Sequence, residues 1–483
     1  MQQECHLPLR NFIAPSTVVV ALVAAILSGC SANQTTVEKQ SVSPFSGQKL
    51  TIGCSKLIDP QPVARFAREW SILNDSSVEL RNSDQSTDIA IVTMAELPAL
   101  AESGQYLPVP PALLDRGHAY QWDNLLPIAG NLFATWRKEM FGIPLRGEGF
   151  LLAYRPERLA QAGIQVPQTW DEFAAAVRKL GPGSLPPLPA TPDGLMTQFN
   201  LIASSYDQRS LQQGDVGIGS TTEESADRLF SFMYRLGTSK PRIDAPAFVH
   251  AFELMHAMQR DRSMHANAFA DGTAAVAIVT LSDIARLQQP TSPVRGKFQV
   301  APLPGARFTF DLDTGEKQPA DSDTVNRLPY VGADVWVGLV SKSCPHPEVA
   351  FEFLAAFAHP TAAGTELITA ARWGAGPLRT GQLEDRDRGL WFGFDLPPDQ
   401  TERMIAALKQ NTSPSVINHR YPLRLPNQRE HLEAFDRIVR PALSADSADA
   451  KAVMREAAQA WEHLWWTIPA EKRREWIQAS HGL

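Results

Sequence analysis

Short apolar runs alternate with amphipathic stretches through most of the chain. Residues 49–54 (KLTIGC) and 88–93 (DIAIVT) have the length and apolar density of buried strands. Each leads into helix-period sequence: about 61–73 after the first run, and 97–103, closed by Gly104, after the second. Such alternation predicts an α/β fold with a largely parallel sheet. In these sheets ligands sit beyond the carboxyl ends of the strands, which here are residues 55–59 and 93–96.

Residues 141–180 carry the densest pattern. Residues 150–154 are a buried-strand run, with Pro144 ahead of it at a strand start or edge. A brief helix over 157–162 ends at Gly163, which supplies the left-handed residue, and Pro167 cannot continue it. Thr169 with Glu172 forms a T-x-x-E capping box that opens an amphipathic helix to about Leu180. The Pro/Gly-rich stretch GPGSLPPLPATPDG reads as a loop or cleft-rim element, because helical pattern resumes near 195–205, 222–236 and 247–260. Residues 269–287 read as turn, strand and helix start, and 298–304 as an edge strand closed by prolines. Residues 307–329 are polar and Asp-rich, most simply a hairpin insertion. Within them Asp311-x-Asp313-x-Gly315 lacks the third acidic residue and closing Glu of a calcium loop. Strand pattern returns over 330–341, followed by a helix over 347–358 and helices from 425 to 466.

With 483 residues, 44% hydrophobic and 20% charged, the chain can bury a large core and has the length of about two or three domains. A net charge of −7 without a basic stretch argues against a nucleic-acid partner. Arg10 precedes an apolar run over 12–27 that ends in Leu27-Ser28-Gly29-Cys30, too short and abrupt for a membrane span and read as an export signal. The polar stretch behind it, SANQTTVEKQSVSPFSGQ, reads as a tether of roughly 20–25 Å. Cys54 and Cys344 show no framework spacing and read as buried small hydrophobes, with pairing left open.

No catalytic constellation stands out. G-x-S-x-G, H-E-x-x-H and paired C-x-x-C are missing, and GPLRTGQ has Gln where a phosphate loop needs Lys. His250 and His256, six apart, do not share a helix face as metal ligands. No cofactor or metal is expected.

The order of these segments resembles bacterial family 1 extracellular solute-binding proteins, the sugar-binding type. Residues 141–180 resemble the first inter-lobe crossover. FADGTAAVAI and VAPLPG resemble two segments of the family, and the strand followed by S-K-x-x-x-x-P-E-x-A-x-x-F-L from Ser341 resembles the second crossover. Residues 374–378 read as a third crossing, and the resemblance covers about 49–466. It implies a two-lobed periplasmic-binding-protein-like fold of type II, each lobe a mostly parallel sheet flanked by helices, with crossover strands as hinge. The implied organisation is a signal peptide over 1–29, a tether over 30–48 and a first lobe from 49–145 and 298–372. The second lobe is built from 146–297 and 373–466, and an extension over 467–483 has no assigned role. Leu-Ser-Gly-Cys resembles a bacterial lipobox, which implies cleavage before Cys30 and acylation of its thiol, leaving 454 residues (483 minus 29). An ordinary secretory signal with an incidental cysteine is the other reading.

The crossovers and strand ends then name the ligand candidates. Glu148 ranks first, with Arg146 beside it; the two alternatively pair as a hinge salt bridge. Thr93 follows one strand, and Thr280 and Ser282 follow another, Ser282 standing where many sugar-binding relatives carry Trp. Asp334 at the second crossover either accepts ligand hydroxyls or caps a strand. Arg372 and Trp373 precede the third crossover, Trp373 as stacking platform or core residue, and Trp136 is the next aromatic candidate. Trp170, Trp336, Trp461, Trp465 and Trp466 read as packing, and Tyr421 as a further cleft candidate. Gly142, Gly147, Gly149 and Gly332 lie where rotation would be absorbed. The resemblance implies a monomeric, lipid-anchored receptor facing the periplasm or exterior. It would capture a small solute, a carbohydrate, by hinge closure and deliver it to ABC permease subunits. The rivals are a tethered sensor for a signalling partner and an exported carboxylate-dependent glycan hydrolase.

Overall fold

The first apolar run becomes β1 (Lys49–Cys54), followed by β2 (Ser77–Arg81), and the second run becomes β3 (Ile89–Thr93). After them come the short β4 (Tyr106–Leu107), β5 (Thr135–Trp136) and β6 (Glu139–Met140), then β7 (Gly142–Arg146) and β8 (Phe150–Tyr154). The later strands are β9 (Val276–Thr280), β10 (Gln299–Ala301), β11 (Phe308–Phe310), β12 (Lys317–Pro319) and β13 (Trp336–Ser341). The structure is a computed structural model that describes residues 43–82, 85–115, 117–181, 192–207, 232–235, 238–260, 267–311, 314–320, 325–327, 335–359, 374–384, 388–411 and 421–482.

Two sheets organise residues 45–483. The larger has the order β2-β1-β3-β13-β4, with β7 also on β13, and the smaller has the order β10-β8-β9. The α/β class follows, but the mostly parallel sheets expected from sequence do not. Among the described strands of these two sheets only β2-β1-β3 is parallel; β13 is antiparallel to β3, β4 and β7, and β8 is antiparallel to both its partners. The reason lies in the crossings. β7 leaves the first sheet at Arg146, and β13 comes back into it at the same end, where Trp336 pairs with Arg146. A chain that exits and re-enters at one end must reverse direction, and an apolar run carries no record of direction.

The same pairings refine the layout read from sequence. Residues 142–154 hold two strands in different sheets, not one, and Pro144 sits in β7 at the sheet edge, where its missing N–H is tolerated. The sequence places residues 298–372 in the first lobe, yet β10 pairs with β8, and Gly305 bridges to Thr169. The return to the first sheet therefore lies after residue 327. Hydrophobic pattern alone cannot say which sheet an edge strand joins.

The first sheet is covered by the helices Gln61–Asn74 and Pro347–Phe357, whose Phe66 lies 5.2 Å from Phe353 and 5.0 Å from Phe357. The helices Pro192–Tyr206, Pro246–Arg260, Gln428–Leu443 and Ala450–Trp465 pack together as a separate cluster, with Phe199 edge-on to Phe435 at 5.0 Å. The capping box expected at Thr169 and Glu172 is present. Most of the helix expected over 222–236 lies outside the described residues, and its described end, 232–235, is non-helical. Residues 467–483, given no role from sequence, include the helix Ala470–Ser480, which buries Trp476 and Ile477. Trp461 and Trp465 are buried as expected, but Trp466 is 68% exposed, because it ends its helix on the outer side. Cys54 and Cys344 are both free thiols, half-buried and buried. Among the described residues no helix is long and apolar enough to cross a membrane.

Candidate functional site

The ends of β1, β3 and β9 and the β7–β8 crossing meet between the two sheets. Two of those ends are built alike. At the end of β3 the Glu96 carboxylate accepts from the Thr93 N–H (2.8 Å) and the Thr93 hydroxyl (2.9 Å), and its other oxygen accepts from the Ser55 hydroxyl (2.8 Å). At the end of β9 Asp283 accepts from the Thr280 N–H and hydroxyl, both at 3.0 Å, while Thr280 caps the helix Leu281–Leu287. Each threonine hydroxyl is thus donated to a carboxylate three residues on. Thr93 and Thr280 shape the strand–helix turns instead of offering a free hydroxyl to a solute.

Arg146 and Ser282, both named from sequence, are brought together. The Arg146 guanidinium leaves the end of β7, lies 4.7 Å over the Trp336 ring and donates to the Ser282 hydroxyl at 2.6 Å. Ser282 donates in turn to the Gly374 carbonyl (3.0 Å), which Arg146 also reaches (3.3 Å). One buried cation therefore joins the first sheet, the helix after β9 and the third crossing. Glu148 is buried in the β7–β8 link, where its carboxylate accepts from the Gly149 N–H (2.8 Å).

The crossing strands themselves require glycine. Gly147 and Gly376 form an antiparallel bridge, with the Gly376 N–H donating to the Gly147 carbonyl at 2.9 Å. A Cβ at Gly147 would stand 2.1 Å from the Pro377 carbonyl oxygen, and one at Gly376 2.5 Å from the Glu148 carbonyl carbon. Two backbones pass here with no room for any side chain.

Beside this crossing opens a cavity of about 490 Å³, lined by Asp59, Ser282, Asp283, Arg286 and Gln289. Asp59 belongs to the loop after β1, and the other four to the helix after β9 and the turn behind it. The cavity is polar. Arg286 donates to Asp283 at 2.6 Å and keeps its side chain half in solvent, while Asp59 is exposed on the facing wall. Cys54, at the end of β1, has its thiol pKa pushed up to about 11, by burial first and by Asp59 second, so it stays protonated at neutral pH.

Sequence reasoning missed Asp59, Arg286 and Gln289, and the signal for them was present. Asp59 closes the ligand-side stretch after β1. Arg286 and Gln289 stand four and seven residues beyond Ser282, the spacing of one helix face. Trp136 is not in the site: it is buried, and its indole donates to Glu102 at 2.8 Å. The apolar ring sits in the core, and the one polar atom is satisfied there. Tyr421 meets His481 in the C-terminal segment and does not line the cavity. Asp334, Arg372, Trp373, Gly332 and Cys30 lie outside the described residues.

The family model for bacterial extracellular solute-binding proteins matches residues 75–364. No curated protein matches the chain. Among solved structures, T. maritima MalE3 with bound maltose is similar at 16% identity and a TM-score of 0.61, covering 86% of this chain and 100% of that one. An ABC transporter solute-binding protein from Agrobacterium radiobacter K84, in complex with ribitol, is similar at 16% identity and a TM-score of 0.63, covering 87% of this chain and 100% of that one. An ABC substrate-binding protein from Listeria monocytogenes, in complex with cycloalternan, is similar at 13% identity and a TM-score of 0.62, covering 87% of this chain and 99% of that one. These likenesses carry the fold. The family match spans strands of both sheets and two of the crossings between them, and on that extent the chain belongs to the bacterial extracellular solute-binding protein family.

Proposed function

We propose that the cavity between the sheets binds a small polyhydroxylated solute, a sugar or polyol, and that closure of the two lobes over it presents the complex to an ABC import permease. The observation that carries this reading is the placement of Asp59 on one wall and Ser282, Arg286 and Gln289 on the other. A carboxylate that accepts hydroxyls faces a guanidinium and an amide that donate to ring or hydroxyl oxygens. The solutes named for the structural relatives, maltose, ribitol and cycloalternan, support the same ligand class. Arg146 and Glu148 act at the hinge, holding the crossing strands in place. Cys30 is the lipid-anchored residue, the following tether leaves the receptor free to reorient, and the working form is a monomer. No bond is made or broken in the solute.

A thermal-shift screen of sugars, polyols, amino acids and phosphate esters tests this. A sugar or polyol at 100 times its dissociation constant should raise stability by about 2.7 kcal/mol. Asp59→Ala and Arg286→Ala should each weaken that ligand by roughly tenfold, the value of one charge-assisted hydrogen bond, without changing the unliganded midpoint much. Retention of full affinity in both variants, or chemical turnover of any sugar in the panel, would overturn the reading.

A further inference from the structure

A second cavity, of about 420 Å³, lies away from the crossing and shares no lining residue with the first. One wall is the hairpin formed by β11 and β12. The others are the opening turns of the helices Pro246–Arg260 and Ala450–Trp465. The hairpin is docked and not loose. A Cβ at Gly315, in its turn, would come 3.2 Å from the Pro246 ring, and the turn is closed by the Thr314 N–H donating to Asp311 at 2.8 Å.

Three cations converge on this space: Lys317 from the hairpin, and Lys451 and Arg455 from the first turns of their helix. Among the described residues none of the three has a carboxylate within ion-pair distance. The Lys317 ammonium lies instead 4.4 Å over the Phe308 ring. Two carboxylates also face the cavity, but Glu253 is turned to His250, with its oxygen 3.3 Å from Nδ1. Three cations therefore stand against two lining carboxylates, Asp244 and Glu253. The lining comes from the amino-terminal halves of two long helices, and the amino terminus of Ala450–Trp465 is capped by Asp449, whose carboxylate accepts from the Ala452 N–H at 3.1 Å. The floor is apolar, formed by Phe310 and Val249.

We propose that this pocket is a ligand site separate from the solute cleft, and that it takes a small oxyanion carrying two or more negative charges, such as a phosphate or a short polycarboxylate. It is built around the β11–β12 hairpin and shares no lining residue with the solute cleft. The full chain would be titrated calorimetrically with inorganic phosphate and with citrate, at ionic strength matched by sodium chloride. Saturable binding of at least one anion is expected. The double variant Lys451→Ala/Arg455→Ala should weaken it about tenfold or more, and Lys317→Gln should weaken it in the same direction. Arg286→Ala, in the other cavity, should leave it unchanged. All these side chains are exposed, so the variants are expected to fold. Heats indistinguishable from matched chloride would overturn the proposal. So would saturable binding that survives in the double variant, or binding that Arg286→Ala removes, since that would place the anion in the cleft.

Discussion

His431 is buried among Trp461, Trp465 and Tyr234, and its Nδ1 donates to the Asn427 carbonyl at 2.9 Å. Burial lowers its pKa to about 4. The unfolded chain takes up this proton near the ordinary histidine value of about 6.5, the folded chain only near 4, so stability is complete above the higher value and falls as pH drops between them. The loss should be on the order of 3 kcal/mol across that window and should level off below it. Urea midpoints of the wild type and His431→Leu, measured from neutral pH to the lower bound, check this. The difference between the two should shrink or reverse as the pH falls, and a constant difference would refute the assignment. The same scale shows which polar residues are already committed. Thr93 and Thr280 look like ligand groups by position but are engaged by Glu96 and Asp283.

Among the elements, the C-terminal helix Ala470–Ser480 is joined to distant parts of the chain by one fully buried cation. Arg424 donates to three backbone carbonyls, those of Thr135 (2.6 Å), Ser480 (3.1 Å) and Met94 (3.3 Å). Its pKa is lowered to about 10 by burial, and it remains charged at neutral pH. Met94 follows β3 on the ligand side, so the extension helps hold the turn that carries Glu96. Replacing Arg424 with Met leaves three buried acceptors without this donor and should cost about 2–4 kcal/mol, read as a lower melting temperature and faster proteolysis near the C-terminus. Arg137→Ala breaks only the half-exposed pairs with Glu102 and Glu475 and should cost less than about 1 kcal/mol. Equal effects from the two variants would show that the buried arginine is not what anchors the helix.

For the whole molecule, closure depends on segments that cross between the sheets at a point with no spare volume. Gly147→Ala forces a methyl group into the Pro377 carbonyl and should lower stability by about 1–3 kcal/mol. If the crossings are the hinge, the variant should also alter the contraction seen by small-angle X-ray scattering when the best sugar or polyol of the screen is added. An unchanged contraction would place the hinge elsewhere.

Much of this was legible in the sequence. β1, β3, β8, β9 and the Thr169 capping box follow from apolar runs and cap chemistry, which are local and survive in a one-dimensional reading. The T-x-x-[DE] pattern at Thr169 also stands at Thr93–Glu96 and Thr280–Asp283, so the engagement of those hydroxyls is written in the chain as well. Strand direction was not written there, because a buried run looks the same in either sense. Nor was the sheet that β10 joins, or the fate of Trp136, since both depend on partners far along the chain. The meeting of Asp59 with Ser282 and Arg286 belongs to the same class. More than two hundred residues separate the walls of that cavity, and only the crossings that fold the chain back between two sheets bring them face to face.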